Sequence, residues 1–307
     1  MEIISADSMQ VYRGMDIGTA KPSPEERSKI PHHLIDIKNP DEQFNAGEFV
    51  RLAEEACLSA AGRGALPVVS GGTGFYIKNL ILGLSEAPPS DEDLRAGLRE
   101  ELITRGAAFL MEELAKADPV SAKRIHINDS YRLTRALEVF RLSGKPLSSY
   151  ASPWSPFREN TSVSLADNER PFRFLLIGLE RDRDELYRRI IDRTGAMFRA
   201  GLPDEVKRLF KAGYTASDPG LRAIGYREFF VRETDSPAGT NGPWRLSEDL
   251  AGVEALVAQN CRRYAKRQIT FFSSLPDVLW VDAGREEEAV DAIRHAIKLW
   301  RPFPHWK

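Results

Sequence analysis

The sequence has few cysteines, and the two that it has, Cys57 and Cys261, are far apart and belong to no Cys-x-x-Cys motif. No pair of histidines lies near either of them. This pattern excludes a disulfide framework and a zinc site, and it predicts a reduced, cytoplasmic compartment. Long hydrophobic runs and a charged-then-apolar leader are also lacking, so we expect neither a membrane-spanning helix nor a signal peptide.

A large excess of charge of either sign is absent as well. The net charge is −2 and the isoelectric point is about 6.3. A nucleic-acid partner would therefore need a local basic surface. The 42% hydrophobic content of the 307 residues is enough for one large domain, or for a domain that carries a smaller one. A monomer is the default expectation.

Three short apolar segments, each followed by a turn, predict buried strands: Glu2–Ser5, Leu66–Ser70 and Phe174–Leu179. Between the first two, apolar residues recur at helical spacing after a predicted capping box of Asn45 and Glu48. Alternation of strand, helix and strand predicts an α/β fold with a parallel sheet.

Two longer regions have helical patterns. The segment after the third strand is helical as far as Gly213, and residues 91–154 have helical patterns but no predicted strand. We therefore divide the chain into a catalytic α/β core, residues 1–90 and 160–307, and an inserted helical domain, residues 91–159.

Two features follow strands of the predicted sheet at the edge where parallel sheets bind ligands. Asp7 follows the first strand, and the glycine-rich turn Gly71–Gly74 follows the second. Small residues allow backbone N–H groups to approach an anion at a helix start. A simpler interpretation stays open, in which Asp7 caps a helix and the glycines form a tight turn.

Basic residues are concentrated on two predicted helices. On one helix, Arg132 and Arg135 lie on a different face from the apolar stripe of Leu133, Ala136, Leu137 and Phe140. On the other, four cations surround Tyr264: Arg262, Arg263, Lys266 and Arg267. Such clusters suit RNA phosphates and a stacked base, although a solvated basic face is the alternative.

Six segments, in order, resemble blocks of the bacterial tRNA dimethylallyltransferases. They are "ISADSMQVYRGMDIGTAKP", "PHHLIDI", "VVSGGTGFYIKNLILGL", "DPVSAKRIHINDSYRLTRALEVFRLSGKP", "GYTASDPGLRAIGYREF" and "CRRYAKRQITFF". These enzymes transfer a dimethylallyl group from its diphosphate to the exocyclic N6 amine of the adenosine 3′-adjacent to the anticodon. The resemblance runs from Glu2 to about Trp280. It implies a P-loop NTPase-like parallel sheet with flanking helices, an inserted all-helical subdomain that grips the tRNA anticodon stem-loop, dimethylallyl diphosphate as donor, and Mg²⁺.

The residues themselves support this chemistry. The exocyclic amine of adenine is a poor nucleophile because its lone pair is delocalised into the ring, so a positioned carboxylate must accept its proton, and Asp7 is the candidate. A departing diphosphate needs donors and positive charge. The hydroxyl and N–H of Thr73 could supply the donors, and the guanidinium groups of Arg222 and Arg227 the charge.

The resemblance also assigns roles. Asp7 matches the general base, Thr73 the diphosphate contact together with Gly71 and Gly72, and Arg222 the arginine at the leaving group. The residues that match the tRNA contacts are Asp7, Ser8, Met9, Gln10, Arg95, Tyr131, Arg132, Leu133, Thr134, Arg135, Arg222, Ala223, Ile224, Gly225, Tyr226 and Arg227. For Arg95 and Arg132, an ordinary solvated helix arginine is the alternative.

Members of the family begin with a strand, a G-x-x-x-x-G-K-[ST] phosphate loop and a helix, all before the segment that matches "EIISADS". We find no such loop before Glu2 or elsewhere, since Gly71–Gly74 lacks the following Lys and Ser or Thr. The expectation is that the first strand, the P-loop and its metal ligand are missing, which would leave a gap in the sheet. Little or no transferase activity is then expected of the chain as written, through a misplaced start codon or a truncated product.

Three other functions remain open at this stage. An isopentenyltransferase that acts on free adenine nucleotide shares the catalytic logic but has no need of the basic helices. An RNA-binding remnant would keep the tRNA surface and lose the chemistry. A P-loop small-molecule kinase fits the architecture, but it gives "GTAKP" and "RAIGYR" no role.

Overall fold

The computed structural model describes residues 1–150, 172–233 and 242–300. The chain divides into two compact units, one formed by Met1–Ile81 with Glu169–Lys307 and the other by Leu82–Asn168. The expected insertion, residues 91–159, falls inside the second unit, and its last nine residues lie outside the described ranges.

Strands occur in the first unit and are β1 (Glu2–Ser5), β2 (His32–His33), β3 (Pro67–Ser70), β4 (Leu176–Glu180), β5 (Phe230–Arg232), β6 (Trp244–Leu246) and β7 (Val278–Asp282). β1 lies between β2 and β3 in a parallel three-stranded sheet, and β4 pairs with β7, also in parallel. β5 and β6 form an antiparallel pair. In the described ranges the parallel strands thus form two hydrogen-bonded groups, and the predicted mixed α/β fold with parallel pairing is confirmed.

The helices of the first unit are α1 (Pro24–Lys29), α2 (Ala46–Gly62), α3 (Gly74–Leu82, whose last residue begins the second unit), α7 (Arg183–Arg199), α8 (Leu202–Lys211), α9 (Leu250–Phe272) and α10 (Glu286–Leu299). Those of the second unit are α4 (Glu92–Ala117), α5 (Pro119–Arg124) and α6 (Ser130–Ser143). In the described part of the chain, none of these helices combines the length and the apolar character that crossing a bilayer requires.

Local sequence explains where α2 begins and where the region after β4 breaks. The side-chain oxygen of Asn45 accepts the N–H of Glu48 at 3.0 Å, which confirms one half of the predicted capping box of α2. The side chain of Glu48 pairs with Lys38 and does not form the other half. The expected single helical stretch up to Gly213 is wrong, because Gly201 has φ +98° and separates α7 from α8. A left-handed backbone suits glycine and ends the first helix, and Pro203 fits the first turn of the next.

The described residues of the first unit form two hydrophobic cores. One joins the β1–β3 sheet to α2 and α3 through Ile4, Phe49, Ala53 and Tyr76. The other joins the loop after β1 to α8, α9 and the segment around Tyr226. Each large side chain buried there stabilises the fold by roughly 1.5–3 kcal/mol. The second core positions the candidate site, because the loop after β1 and the segment around Tyr226 both pack on it.

The second unit is helical in its described residues, as predicted. Its core is formed by Leu98, Leu110, Leu114, Leu133, Ala136 and Leu137. The predicted apolar stripe of α6 is therefore confirmed for three residues, while Phe140 is half-buried. Gly106, with φ +83°, breaks α4 into two segments. The buried carboxylate of Asp118 accepts bonds from Ser121 and Ser148, which joins α5 to the short 3-10 helix Leu147–Ser149.

Candidate active site

Asp7 lies in the turn that follows β1. Its Oδ1 accepts the N–H groups of Met9 at 2.8 Å and Gln10 at 3.3 Å, so the carboxylate does cap this turn. Within the described residues no hydrogen-bond donor contacts Oδ2. The two interpretations of Asp7 are thus compatible, because one oxygen fixes the orientation of the carboxylate and the other is available to accept a proton.

The glycine turn after β3 is closely packed. A Cβ on Gly71 would lie 2.4 Å from the carbonyl of Ala6, and one on Gly72 would lie 2.1 Å from Nε2 of Gln268. A Cβ on Gly74 would lie 2.3 Å from the ring of Phe271. These glycines therefore permit the end of β1 on one side and α9 on the other to contact the turn directly.

Thr73 connects the glycine turn to the Asp7 turn. Its hydroxyl accepts the N–H of Ser8 at 3.0 Å and lies 3.3 Å from the hydroxyl of Ser8. Its own N–H donates to the carbonyl of Ala6 at 3.1 Å. The predicted use of this N–H as a phosphate donor does not fit the structure, and the hydroxyl is the group of Thr73 that remains for a substrate.

Helix α9 covers the glycine turn with polar side chains. Gln268 donates to the carbonyl of Gly72 at 2.7 Å, and the hydroxyl of Tyr264 contacts the same carbonyl at 3.3 Å. Burial, with a smaller effect of the Asp7 carboxylate, raises the pKa of Tyr264, so its hydroxyl stays protonated. Tyr264 thus binds the turn through its hydroxyl, while its ring is partly exposed and has the Arg267 guanidinium 5.5 Å from its centre.

Sequence reasoning missed Gln268. Tyr264, Gln268 and Phe271 follow one another at spacings of four and three residues, which puts them on one face of α9. This spacing was the available signal in the sequence, and it does not identify the glycine turn as the partner of that face. Of the four basic residues in the predicted cluster on this helix, Arg262 is half-buried. Arg263, Lys266 and Arg267 are exposed, and in the described residues none of these three forms an ion pair.

The segment "RAIGYR" forms a loop on the second core. Arg222 ends a short 3-10 helix, is exposed, and donates to the carbonyl of Ser217 at 2.5 Å. Burial raises the pKa of Tyr12 to about 12, and the positive charge of Arg222 opposes this rise. Arg227 is also exposed but pairs with Glu228 at 3.0 Å. Arg222 is therefore the more available of the two guanidinium groups.

Some of the expected RNA contacts are buried. Leu133 lies in the core of the second unit, and Ala223 and Tyr226 lie in the second core of the first. Met9 and Ile224 are half-buried and pack on that same core. These side chains stabilise the segments that bear the exposed residues, and the fully buried ones among them, Leu133 and Tyr226, have no exposed side-chain surface.

Gln10 and Lys21 brace the loop after β1. Gln10 accepts a bond from Ser5 at 2.9 Å and donates to the carbonyls of Thr19 and Ala20 at 3.4 Å each. The side chain of Lys21 is 2% exposed, and its ammonium binds Asp16 at 2.6 Å and Asp36 at 2.7 Å. The lysine of "GTAKP" is therefore a structural cation and not a free phosphate ligand.

In the second unit, the structure brings two of the expected RNA contacts together. The guanidinium of Arg95 lies 5.7 Å from the ring centre of Tyr131, which is 67% exposed. Arg132 is exposed and pairs with Asp129. Arg135 is mostly buried and binds Glu138 at 2.8 Å and the carbonyl of Pro88.

Thr134, the remaining residue of this helical segment, donates to the carbonyl of Ser130 at 2.8 Å within α6. Among the expected RNA contacts of the second unit, the residues that remain accessible to a partner are thus Arg95, Tyr131 and Arg132.

The described residues contain no preformed cluster of ligands for the expected Mg²⁺. Among residues 1–150, 172–233 and 242–300, no group of three or more His, Cys, Asp or Glu side chains is arranged to hold a metal ion. Mg²⁺ commonly binds through one or two carboxylates together with substrate phosphates, which requires no such cluster. The metal stays a prediction.

Comparisons with known proteins agree on one family. A model of the IPP transferase family matches residues 10–275. The chain is 42% identical over 292 residues to a tRNA dimethylallyltransferase of Geobacter sulfurreducens, a match that covers 95% of this chain and 87% of that protein. A second relative, from Geobacter metallireducens, is 42% identical over 281 residues, with 92% and 84% covered.

Solved structures give the same picture. The full-length tRNA isopentenylpyrophosphate transferase of Bacillus halodurans matches with a TM-score of 0.60 and 35% identity over 97% of this chain and 88% of that one. A eukaryotic dimethylallyltransferase acting on tRNA matches with a TM-score of 0.71 and 23% identity over 99% and 74% of the two chains, a likeness of fold alone.

Proposed function

Since the chain belongs to the IPP transferase family of prenyltransferases, we propose that it transfers a dimethylallyl group from dimethylallyl diphosphate to the N6 amine of the adenosine 3′-adjacent to the anticodon in tRNA. The observation that carries this proposal is that one oxygen of the Asp7 carboxylate accepts hydrogen bonds from the described residues and the other accepts none. One oxygen is fixed by the turn, and the neighbouring Ser8 binds Thr73 of the glycine turn.

The proposed chemistry uses Asp7 as general base. The N6 lone pair forms a bond to the allylic carbon while the bond from that carbon to the diphosphate oxygen breaks, and the electron pair leaves with the diphosphate. The proton of the amine passes to Oδ2 of Asp7. A carboxylate that is already oriented by the N–H groups of Met9 and Gln10 needs no reorganisation when the proton is transferred.

The leaving diphosphate is assigned to Arg222 and Thr73. An exposed guanidinium offers two parallel donors to phosphate oxygens, and a hydroxyl offers one more. Gly71 and Gly72 allow the diphosphate to approach the backbone of the turn. Arg227, which is engaged by Glu228, has the smaller share in this proposal.

RNA binding is assigned to two basic surfaces, one on each unit. On α9 the exposed cations are Arg263, Lys266 and Arg267, and in the second unit the accessible residues are Arg95, Tyr131 and Arg132. Of these cations, Arg132 pairs with Asp129 and the others have no carboxylate partner among the described residues. Cations without such a partner suit phosphate contacts, and an exposed tyrosine suits a stacked base. We propose that the second unit grips the anticodon stem.

The test compares three acceptors in the presence of dimethylallyl diphosphate and Mg²⁺: the anticodon stem-loop, the same stem-loop with purine riboside at the target position, and AMP. We expect prenylated product from the first alone, because purine riboside lacks the exocyclic amine and AMP lacks the stem. The sequence-based expectation of little or no transferase activity stays a prediction, and product from the unmodified chain would contradict it. The rate of that chain on the first acceptor is the reference for all variants.

Two of the alternatives have their own outcome in this experiment. Faster turnover of AMP than of the stem-loop would favour the free-nucleotide enzyme and contradict the proposal. Salt-dependent binding of the stem-loop without product would favour the RNA-binding remnant, since phosphate contacts make affinity fall with salt whether or not chemistry follows.

A further inference from the structure

A carboxylate that the proposed chemistry does not use is buried on α8. The side chain of Glu205 is 1% exposed. Its oxygens accept the N–H groups of three consecutive residues, Asp16 at 3.1 Å, Ile17 at 3.0 Å and Gly18 at 3.3 Å. They also accept the hydroxyl of Tyr226 at 2.6 Å. In the described part of the chain, Arg208 at 4.0 Å is the cation that pairs with it, and that side chain is mostly exposed.

Packing alone does not explain an acid at this position. A leucine would fill a comparable volume without desolvating a charge, whereas a buried carboxylate is tolerated where donors surround it. Consecutive N–H groups that converge on one anion are a common way to fix a loop. Glu205 therefore determines the conformation of residues 16–18.

The loop fixed by Glu205 is continuous with the Asp7 turn. Gln10 gives its N–H to Asp7 and its side-chain amide to the carbonyls of Thr19 and Ala20, directly after the three residues that Glu205 holds. A displacement of residues 16–18 would therefore be transmitted through Gln10 to the carboxylate of Asp7.

The same carboxylate holds the arginine loop. Tyr226 is fully buried, four residues after Arg222, and burial together with the nearby Glu205 charge raises its pKa, so it stays a donor. A Cβ on Gly18 would lie 2.4 Å from the Tyr226 ring, which shows how closely the two loops approach. The two loops are thus joined through one side chain of α8.

We propose that Glu205 is a positioning residue that holds the Asp7 turn and the Arg222 loop in one arrangement, so that base and leaving-group arginine act on the same substrate. The inference rests on the proposed function for its kinetic consequence. The link between the two loops itself does not depend on that function.

The test uses Glu205→Gln and Tyr226→Phe, with Glu2→Gln as matched control. Glutamine keeps the size of Glu205 but replaces one acceptor with an NH₂ group that faces N–H donors. Glu2 is also a buried carboxylate of the first unit, but it lies at the opposite end of β1 and binds Arg63 and His33. All variants are compared at a temperature where circular dichroism shows them to be folded.

Two measurements are made on each variant. For Glu205→Gln we expect kcat on the stem-loop to fall about 10- to 100-fold with a smaller change in KM, because a misplaced reacting group costs rate. The kcat of Tyr226→Phe should fall less than that of Glu205→Gln. Glu2→Gln should keep its kcat while its free energy of unfolding decreases. Hydrogen exchange of peptides covering residues 15–20 and 222–227 should accelerate together in Glu205→Gln and remain unchanged in Glu2→Gln.

The outcomes separate this proposal from the proposed function. An unchanged kcat in folded Glu205→Gln, or faster exchange in only one of the two loops, would overturn the positioning role. Joint acceleration in a chain whose unmodified form makes no product would refute the proposed function and leave the link between the loops supported.

Discussion

The two ends of β1 carry the same kind of side chain in opposite situations. At the amino end, Glu2 receives two bonds from Arg63, at 2.6 and 3.1 Å, and one from His33 at 2.6 Å. At the carboxyl end, Asp7 receives two N–H groups on one oxygen. Glu2 is thus fully engaged with the protein, whereas Asp7 keeps an oxygen for another molecule. In this pair the structural carboxylate has more partners than the one proposed to react, and it is also the more buried of the two.

Asp7→Asn tests this comparison most severely. The amide oxygen can still accept the N–H groups of Met9 and Gln10, so the turn and the melting temperature should be preserved. The amide cannot accept a proton, and we expect the transfer rate to fall by about 10²- to 10⁴-fold. Rates are measured on the anticodon stem-loop with saturating dimethylallyl diphosphate. An equal loss of transfer rate in Glu2→Gln would show that the carboxylates at the two ends of β1 do not differ in their effect on catalysis.

Arg222→Ala should have the next largest effect. Loss of the guanidinium removes charge at the departing diphosphate, and we expect kcat to fall by about 100-fold at unchanged thermal stability, because the side chain is exposed. Arg222→Lys keeps the charge without the fork and should recover part of the rate. An equal loss in Arg227→Ala, whose guanidinium is bound to Glu228, would contradict the assignment.

Thr73→Val should have a moderate effect. Valine keeps the shape and the backbone bond from Thr73 to Ala6, but it removes the hydroxyl that accepts the N–H of Ser8 and that is proposed to contact the diphosphate. We expect kcat to fall about tenfold. Thr73→Ser, which retains the hydroxyl and lacks the methyl group, is the control. If kcat of Thr73→Ser fell as far as that of Thr73→Val, the methyl group and not the hydroxyl would be responsible.

The smallest effect concerns stability and pH. Hydrogen bonds from Arg63 and His33 lower the pKa of Glu2 to about 2, from an ordinary value near 4.5. The folded state therefore binds this proton less readily than the unfolded state does. The contribution of Glu2 to stability is fully present above pH 4.5 and is lost as the pH falls towards 2.

Denaturant unfolding of wild type and Glu2→Gln between pH 6 and pH 2 measures this contribution. The difference in unfolding free energy should shrink as the pH falls. A difference that is constant with pH would show that the bonds to Arg63 and His33 do not act through the charge of Glu2.

Features that depend on neighbouring residues could be predicted from the sequence. The strand at Glu2–Ser5, the Asn45 cap and the helical character of the described insertion follow from local patterns, and the structure confirms them. The end of a helix at Gly201 was missed, because the helical spacing continues past a glycine whose φ becomes visible only in three dimensions.

Features that depend on distant residues could not be predicted. Glu205 binds residues 16–18 and Tyr226, and Gln268 binds Gly72, across separations that no sequence period encodes. The burial of Leu133 and Tyr226 could not be predicted either. A segment that resembles the family's RNA-binding segments contains exposed residues and also the core residues that hold them in place.

The most direct measurement is a crystal structure of the chain with an anticodon stem-loop and a non-reactive analogue of dimethylallyl diphosphate. The account predicts that the N6 amine of the adenosine 3′-adjacent to the anticodon lies within about 2.6–3.2 Å of Oδ2 of Asp7, or one water away. A bound adenosine whose amine faces another acceptor, with Asp7 contacting only its own turn, would contradict it.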